Sequence, residues 1–376
     1  MTNGRDYRVD FFRGLALIFI FWDHVPDNPL AQLTLRNFGF SDAAEVFVFL
    51  AGYAAILAYG RIARRDGLLV ANVRILRRTW VLYVVHIFLL TLLMGIVFVA
   101  NNHVETRDMV QQMGLEYFVG NPQQALADEL LLRFKPNLTD PLPLYIVLLL
   151  ALPLILPLML RRLEVAVGLS VALYLMVPLQ GWNLRAYEGG GVWYFNPVAW
   201  QLLFILGGAC ALRAETSTAN VRQPLARQPV FVGAALYLLI AGLLTFSEKW
   251  PDLHAMLVSA LHVEHLYSIS KTDLAPARLL HFLALVYVVA RLLPTGHTWL
   301  DNWPARQTCR MGRYSLEVFC LGVLLAPLAD MANALAGDTW PMQVTTALLG
   351  LGLMALMANG LELNKRLGKS IQAVAT

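Results

Sequence analysis

Charged residues are few in this sequence. Asp, Glu, Lys and Arg make up 14% of its 376 residues, against roughly 25% in an average soluble protein. Hydrophobic residues make up 58%. A globule of this size cannot cover so much apolar surface with so little polar material, which excludes a soluble enzyme. The same composition excludes a disordered chain, whose signature is low hydrophobicity and high net charge. A transmembrane β-barrel would need strands that alternate apolar and polar, and residues 81–100 show no such alternation. Cysteine is scarce as well. Cys210, Cys309 and Cys320 make no disulfide framework. No cleavable signal is expected, because the first apolar run contains Arg13 and ends in Asp23-His24 without a small-residue cleavage site. Repeats and low-complexity tracts are missing. No metal is expected either: His254, His262 and His265 with Glu264 do not form a coherent zinc ligand set.

Long apolar runs are abundant. They predict an all-α polytopic integral membrane protein with about ten transmembrane helices, since each crossing needs roughly 20 apolar residues. The expected spans are 9–25, 43–60, 78–100, 141–160, 164–180, 196–213, 229–246, 274–292, 313–334 and 342–361. No soluble domain separates from them, so residues 1–376 read as one transmembrane domain. The net charge of +4 does not point to nucleic acid, because the basic residues cluster in short connections between apolar runs. Their uneven distribution places both termini in the cytoplasm. The longer segments 26–42, 101–140, 181–195 and 247–273 then lie outside. They are rich in Trp, Tyr, Asn, Asp and His, which suits a polar, ring-shaped ligand. For any single Trp or Tyr, an aromatic belt at the membrane interface accounts for the residue equally well.

Ionisable groups inside a span are costly and so draw attention to function. The first helix carries Asp10, Arg13, Asp23 and His24. Arg13 and His24 are eleven residues apart. On a helix they fall within about 20° of one another, separated by roughly 16 Å along the axis. Asp10 stands one turn before Arg13 and can pair with it. A cation near one boundary and an imidazole near the other suit a transmembrane acyl transfer. The phosphates of a cytoplasmic acyl-CoA need arginines, and a neutral histidine can take a proton from an attacking hydroxyl. Snorkelling of Arg13 and simple capping by His24 are the plainer explanations of each residue taken alone. Arg74, Arg77 and Arg78 precede the third span and can clamp phosphate, or can simply mark the cytoplasmic side. Glu45 opens the second span. It can orient the histidine, or it can be a favourable charge at a helix N-terminus. Asp23 is a second candidate for orienting His24. Gly52 would allow close helix approach.

These residues resemble a known family. Asp10-Phe-Phe-Arg13-Gly14, with ten residues between Arg13 and His24, is similar to the first-helix motif of the membrane acyltransferase-3 superfamily. Glu45-Val-Phe-Val-Phe-Leu-Ala-Gly52 resembles its acidic-Phe-Phe-x-x-Ser-Gly segment, with Ala51 where serine is usual. Arg74-Ile-Leu-Arg77 resembles its Arg-x-x-Arg segment. Five further stretches resemble the OpgC branch: the run from Ser41 to Phe49, Asp140 to Tyr145, Trp193 to Gln201, Arg278-Leu-Leu-His281, and Ser315 to Phe319. That branch adds succinyl groups to osmoregulated periplasmic glucans in the inner membrane of Gram-negative bacteria.

The resemblance implies an O-acyltransferase with no bound cofactor. Acyl-CoA, with succinyl-CoA favoured, would be the co-substrate, and a glucan the acceptor in the periplasm. His24 would be the catalytic base or a transient acyl carrier, and Glu45 or Asp23 would orient it. Asp10, Arg13, Arg74, Arg77 and Arg78 would serve the donor. Acceptor contacts are expected from Asp140, Tyr145, Trp193, Asn196, Trp200, Gln201, Lys271, Arg278 and His281. Lys271 and Arg278 are also candidates for the second carboxylate of a succinyl group. The sequence leaves open the acyl group, the kind of glycan, and the oligomeric state. The rival from another class is a transporter or flippase with buried Asp, Arg and His along its path. It would leave the ordered motifs unexplained and lacks the matching halves common in transporters.

Overall fold

A computed structural model describes residues 6–216, 228–263, 269–294 and 298–374, with side chains left undescribed at 369 and 371–374. Among these the only regular elements are helices and short 3-10 turns, apart from one bridge between Arg185 and Val192. The long helices are α1 (Tyr7–His24), α2 (Ala43–Asp66) and α3 (Leu68–Asn101). Three short helices follow, α4 (Met109–Gln112), α5 (Glu116–Gly120) and α6 (Pro122–Leu130). Then come α7 (Pro141–Arg161), α8 (Leu163–Gln180), α9 (Pro197–Thr216), α10 (Gln228–Ser247), the shorter α11 (Pro251–Ala260), α12 (Pro276–Leu292), α13 (Trp303–Arg313), α14 (Ser315–Leu335) and α15 (Trp340–Val374).

Eight of these, α2, α3, α7, α8, α9, α10, α14 and α15, are long and apolar enough to cross a membrane. The chain is therefore an all-α polytopic membrane protein. The other two expected spans are also helices. Helix α1 carries four Asp or Arg residues within its 18, and α12 is 17 residues long. Three boundaries differ from expectation, the first being α2, which runs past 60 to Asp66. Helix α3 begins at Leu68 rather than 78, and α15 runs past 361 to Val374. Hydropathy marks where a helix meets apolar surroundings, whereas Arg and Lys are good helix formers and carry the backbone helix further. Only Gly67, at φ +92°, separates α2 from α3. Segments 101–140 and 247–273, expected as connections, contain the short helices α4, α5, α6 and α11.

The chain divides into two compact units. The first comprises Met1–Leu35, Leu92–Val110 and Val289–Thr376. In it α1 packs against α13 and α14, and both α13 and α14 pack against α15. The α1–α13 crossing is built on two glycines. A Cβ on Gly14 would lie 2.0 Å from the Thr308 carbonyl oxygen, and one on Gly312 would lie 1.8 Å from that of Asp10. Only bare backbones fit so close.

The second unit comprises Arg36–Thr91 and Gln111–Val288. Here α2 packs against α9, α9 also meets α7 and α8, and α10 meets α11. The α2–α9 crossing again rests on glycine, with Gly52 against the Phe204 backbone and Gly207 against that of Phe49.

Candidate active site

Helix α1 is unbroken from Tyr7 to His24, with Asp6 capping its first turn through a bond accepted from the Arg8 amide. Arg13 and His24 therefore keep the helical relation expected from their spacing: one side of the helix, roughly 16 Å apart. Asp10 is buried at the α13 crossing. Arg13 donates from Nη2 to Ser315 Oγ at 2.8 Å, which fixes the guanidinium against the start of α14.

His24 is exposed at the C-terminal end of α1. Its Nδ1 is 2.5 Å from the Ile20 carbonyl oxygen. A carbonyl can only accept, so in the neutral ring Nδ1 carries the proton and Nε2 carries the basic lone pair. Asp23, the next residue back, turns elsewhere and accepts from Thr34 Oγ1 at 2.6 Å.

The remaining predicted residues belong to the second unit. Glu45 stands at the third position of α2, where Asp42 caps the helix. The Asp42 amide donates to Glu45 Oε2 at 2.8 Å and the Ala44 amide donates to Asp42 Oδ1 at 2.8 Å, a capping box. Arg278 on α12 donates from Nε to Glu45 Oε1 and, at 2.8 Å, from Nη2 to Asp42 Oδ2. Lys271 Nζ lies 2.6 Å from the same Asp42 oxygen. Two cations and two carboxylates thus neutralise one another in a buried knot. Burial alone would raise the Asp42 carboxyl, but the Lys271 ammonium and the Arg278 guanidinium outweigh it and hold it at about 2. Burial would lower the Lys271 ammonium, and Asp42 reverses this and raises it.

His281, one turn beyond Arg278, is fully buried, with Nδ1 2.8 Å from Ser41 Oγ. Gly39 leaves room for this ring, since a Cβ there would lie 2.0 Å from its Nε2. Asp140 precedes α7, and burial pushes its carboxyl up to about 6 against the opposing pull of Lys135. Lys135 itself is lowered to about 8 by burial, and its Nζ lies 3.9 Å above the Trp193 ring. Tyr145, on the first turns of α7, packs its ring 6.3 Å from that of Phe204.

Three predicted acceptor residues are occupied within the fold. The Asn196 amide donates to the Trp182 carbonyl and to Asp273 Oδ1 at 2.8 and 2.9 Å, and accepts from the Val198 amide. Trp200 is fully buried and donates to the Lys271 and Thr272 carbonyls. Gln201 ties α9 to α8 through Ser170. Arg74 and Arg77 are exposed on the first turns of α3, with Arg78 half-buried beside them. Arg74 lies 3.7 Å from Asp66. Of the histidine cluster, His265 and its neighbour Glu264 lie outside the described residues.

Sequence reasoning missed Asp42 as a site residue, although Asp-x-x-Glu before an apolar run is a capping-box signature. It also missed Lys135, whose position over Trp193 has no local signal. A comparison with family models matches residues 5–366 to the family described as OpgC protein. No curated protein and no solved structure matches the chain.

Proposed function

The chain belongs to the OpgC protein family, and from that premise we propose that it moves a succinyl group from cytoplasmic succinyl-CoA to hydroxyls of a periplasmic glucan. Transferase activity follows from the family, and a lipid bilayer setting follows from the eight apolar helices. The donor, the acyl group and the roles of individual residues are our reading. It places the chain within the acyltransferase-3 superfamily, in the inner membrane, with both termini cytoplasmic.

One observation carries it. His24 is exposed at the end of α1, with Nδ1–H committed to the Ile20 carbonyl, and Arg13 lies three turns away on the same side. Nε2 is then the base. It takes the proton of a glucan hydroxyl as that oxygen attacks the thioester carbonyl. The C–S bond breaks, the CoA thiolate leaves, and the imidazolium returns the proton to it, so the products are a glucan ester and CoA. Arg13, with Arg74, Arg77 and Arg78, supplies cations for the CoA phosphates. Glu45 is assigned no step in this scheme. Both its oxygens are engaged, by Arg278 and by the Asp42 amide.

The test is the mass of periplasmic glucans from cells lacking the gene, complemented with the wild-type protein or His24→Gln. Wild type should restore additions of one succinyl mass each, and the variant should restore none. Identical glucans in all strains would remove the glucan acceptor, and an acetyl-sized addition would replace the donor.

A further inference from the structure

Beyond His24, in the first unit, lies a polar cluster that the scheme above does not use. Helix α14 runs alongside α1 in the same direction: Ser315 meets Arg13, and Gly322 meets Phe21. Counting residues at 1.5 Å each from that second contact, Asp330 stands roughly 7 Å further along the axis than His24. Asp27, three residues past His24, is within electrostatic reach of Asp330.

Asp330 is buried and ion-paired with Arg107, with Nη2 3.1 Å from its Oδ1. The same Nη2 lies 2.7 Å from Asp338 Oδ1. One turn on, Asn333 is 1% exposed. Its Oδ1 accepts from Thr346 Oγ1 at 2.8 Å, while its Nδ2 has no partner. Turning the amide over exchanges the two atoms, and one of them stays unpartnered. Arg107 Nε is likewise buried and without a hydrogen bond. Donors withdrawn from water without an acceptor are costly, and proteins keep few of them. Two in one cluster, beside a carboxylate whose Oδ1 makes no hydrogen bond, mark a place shaped for a group that both gives and takes hydrogen bonds.

We propose that Arg107, Asp330 and Asn333 form a subsite for a hydroxyl-bearing sugar ring of the acceptor. This rests on the function proposed above and assigns its acceptor to the first unit, next to the catalytic histidine. A sugar hydroxyl donates to Asp330 Oδ1, and ring or hydroxyl oxygens accept from Asn333 Nδ2 and Arg107 Nε. The site selects neutral sugar. Asp330 and Asp338 share one guanidinium, and Asp27 adds a carboxylate within electrostatic reach of Asp330; that excess of negative charge repels both a succinyl carboxylate and CoA phosphates.

The experiment measures binding, so that it does not depend on turnover. Full-length protein in lipid nanodiscs is titrated with unsubstituted neutral glucan and, separately, with succinyl-CoA. The wild type is compared with Asn333→Ala and Arg107→Lys. The lysine variant keeps a cation for Asp330 and Asp338 but loses the Nε donor, which guards against a simple folding failure. Each variant should raise the Kd for glucan about tenfold, the loss of one to two hydrogen bonds, and leave that for succinyl-CoA within about twofold. Unchanged glucan affinity in both variants overturns the subsite while leaving the transferase intact. Weakened glucan binding in the variants, together with a wild-type protein that transfers no succinyl group, leaves the subsite standing and overturns the transfer reaction.

Discussion

Lys271 holds its ammonium 2.6 Å from Asp42 Oδ2, the oxygen that also accepts from Arg278. The carboxylate that caps α2 thereby fastens the segment 269–275 and the start of α12 to the same point. This has an acid signature. Asp42 titrates at about 2 rather than its ordinary 3.8, so the pairing contributes fully above about pH 4 and is lost as pH falls towards 2. The linked stability is about 2 kcal/mol. Asp42→Asn should lower the unfolding midpoint in detergent at neutral pH, through a stability loss of about 3 kcal/mol, and should remove that share of the acid response. Wild type and variant losing stability in parallel between about pH 4 and 2 would refute the ion-pair account.

Gly14 and Gly312 make a second prediction. A methyl group at either position would overlap a backbone carbonyl of the facing helix, and a backbone cannot rotate away as a side chain can. Gly14→Ala or Gly312→Ala should each cost about 3 kcal/mol or more and reduce activity by disturbing the helix that carries His24. Gly168→Ala and Gly233→Ala, where a Cβ meets nothing within 4 Å, serve as controls and should be neutral or slightly stabilising. Thermal unfolding of all four variants decides it. Equal effects at the crossed and open positions would show that the close approach is not what the glycines supply.

Lys135 should report on Trp193. Its ammonium sits 3.9 Å above the indole and loses its proton near about pH 8, because burial disfavours the charge. Raising pH through that value removes the cation–π contact, worth about 1–2 kcal/mol when partly desolvated. The difference in tryptophan fluorescence between wild type and Lys135→Met should titrate near about 8. A flat difference from about pH 6 to 10 would mean that the contact is absent in the membrane-embedded protein.

The helices were legible because apolar runs the length of a bilayer leave few other choices. Their ends were less so. Arg74 and Arg77 read as a connection because they are charged, yet they continue α3, since arginine disfavours the membrane and not the helix. The relation of Arg13 to His24 was legible because one helix carries both. The pairing of Glu45 with Arg278 was not, because 233 residues separate them and nothing local encodes the meeting. Asn196, Trp200 and Gln201 show another limit. Their residue types suit a sugar, but the same donors and acceptors serve the fold, and sequence cannot tell an internal partner from a ligand. Arg107, Asp330 and Asn333 were passed over for a related reason: Arg107 is 223 residues from Asp330, and the three announce themselves only by unmet hydrogen bonds.

Arg13 and His24 should fail differently when replaced, and this separates their roles. His24→Gln keeps a polar side chain but no basic nitrogen, so transfer should fall about 10²- to 10⁴-fold with the KM for succinyl-CoA nearly unchanged. Arg13→Gln removes a cation some three turns from the reacting atoms. Its loss should raise the KM for succinyl-CoA about tenfold or more, the worth of a charge-assisted bond to phosphate, and should spare kcat at saturating donor. Ser315→Ala tests whether the guanidinium must be held in place. It removes the hydroxyl that accepts from Nη2 but leaves the charge, so a smaller rise in the same KM is expected. Steady-state kinetics over both substrates distinguish these outcomes. If Arg13→Gln instead lowers kcat with KM unmoved, the arginine acts on the transition state, and the donor's phosphates must be held elsewhere, with Arg74 and Arg77 the first residues to replace.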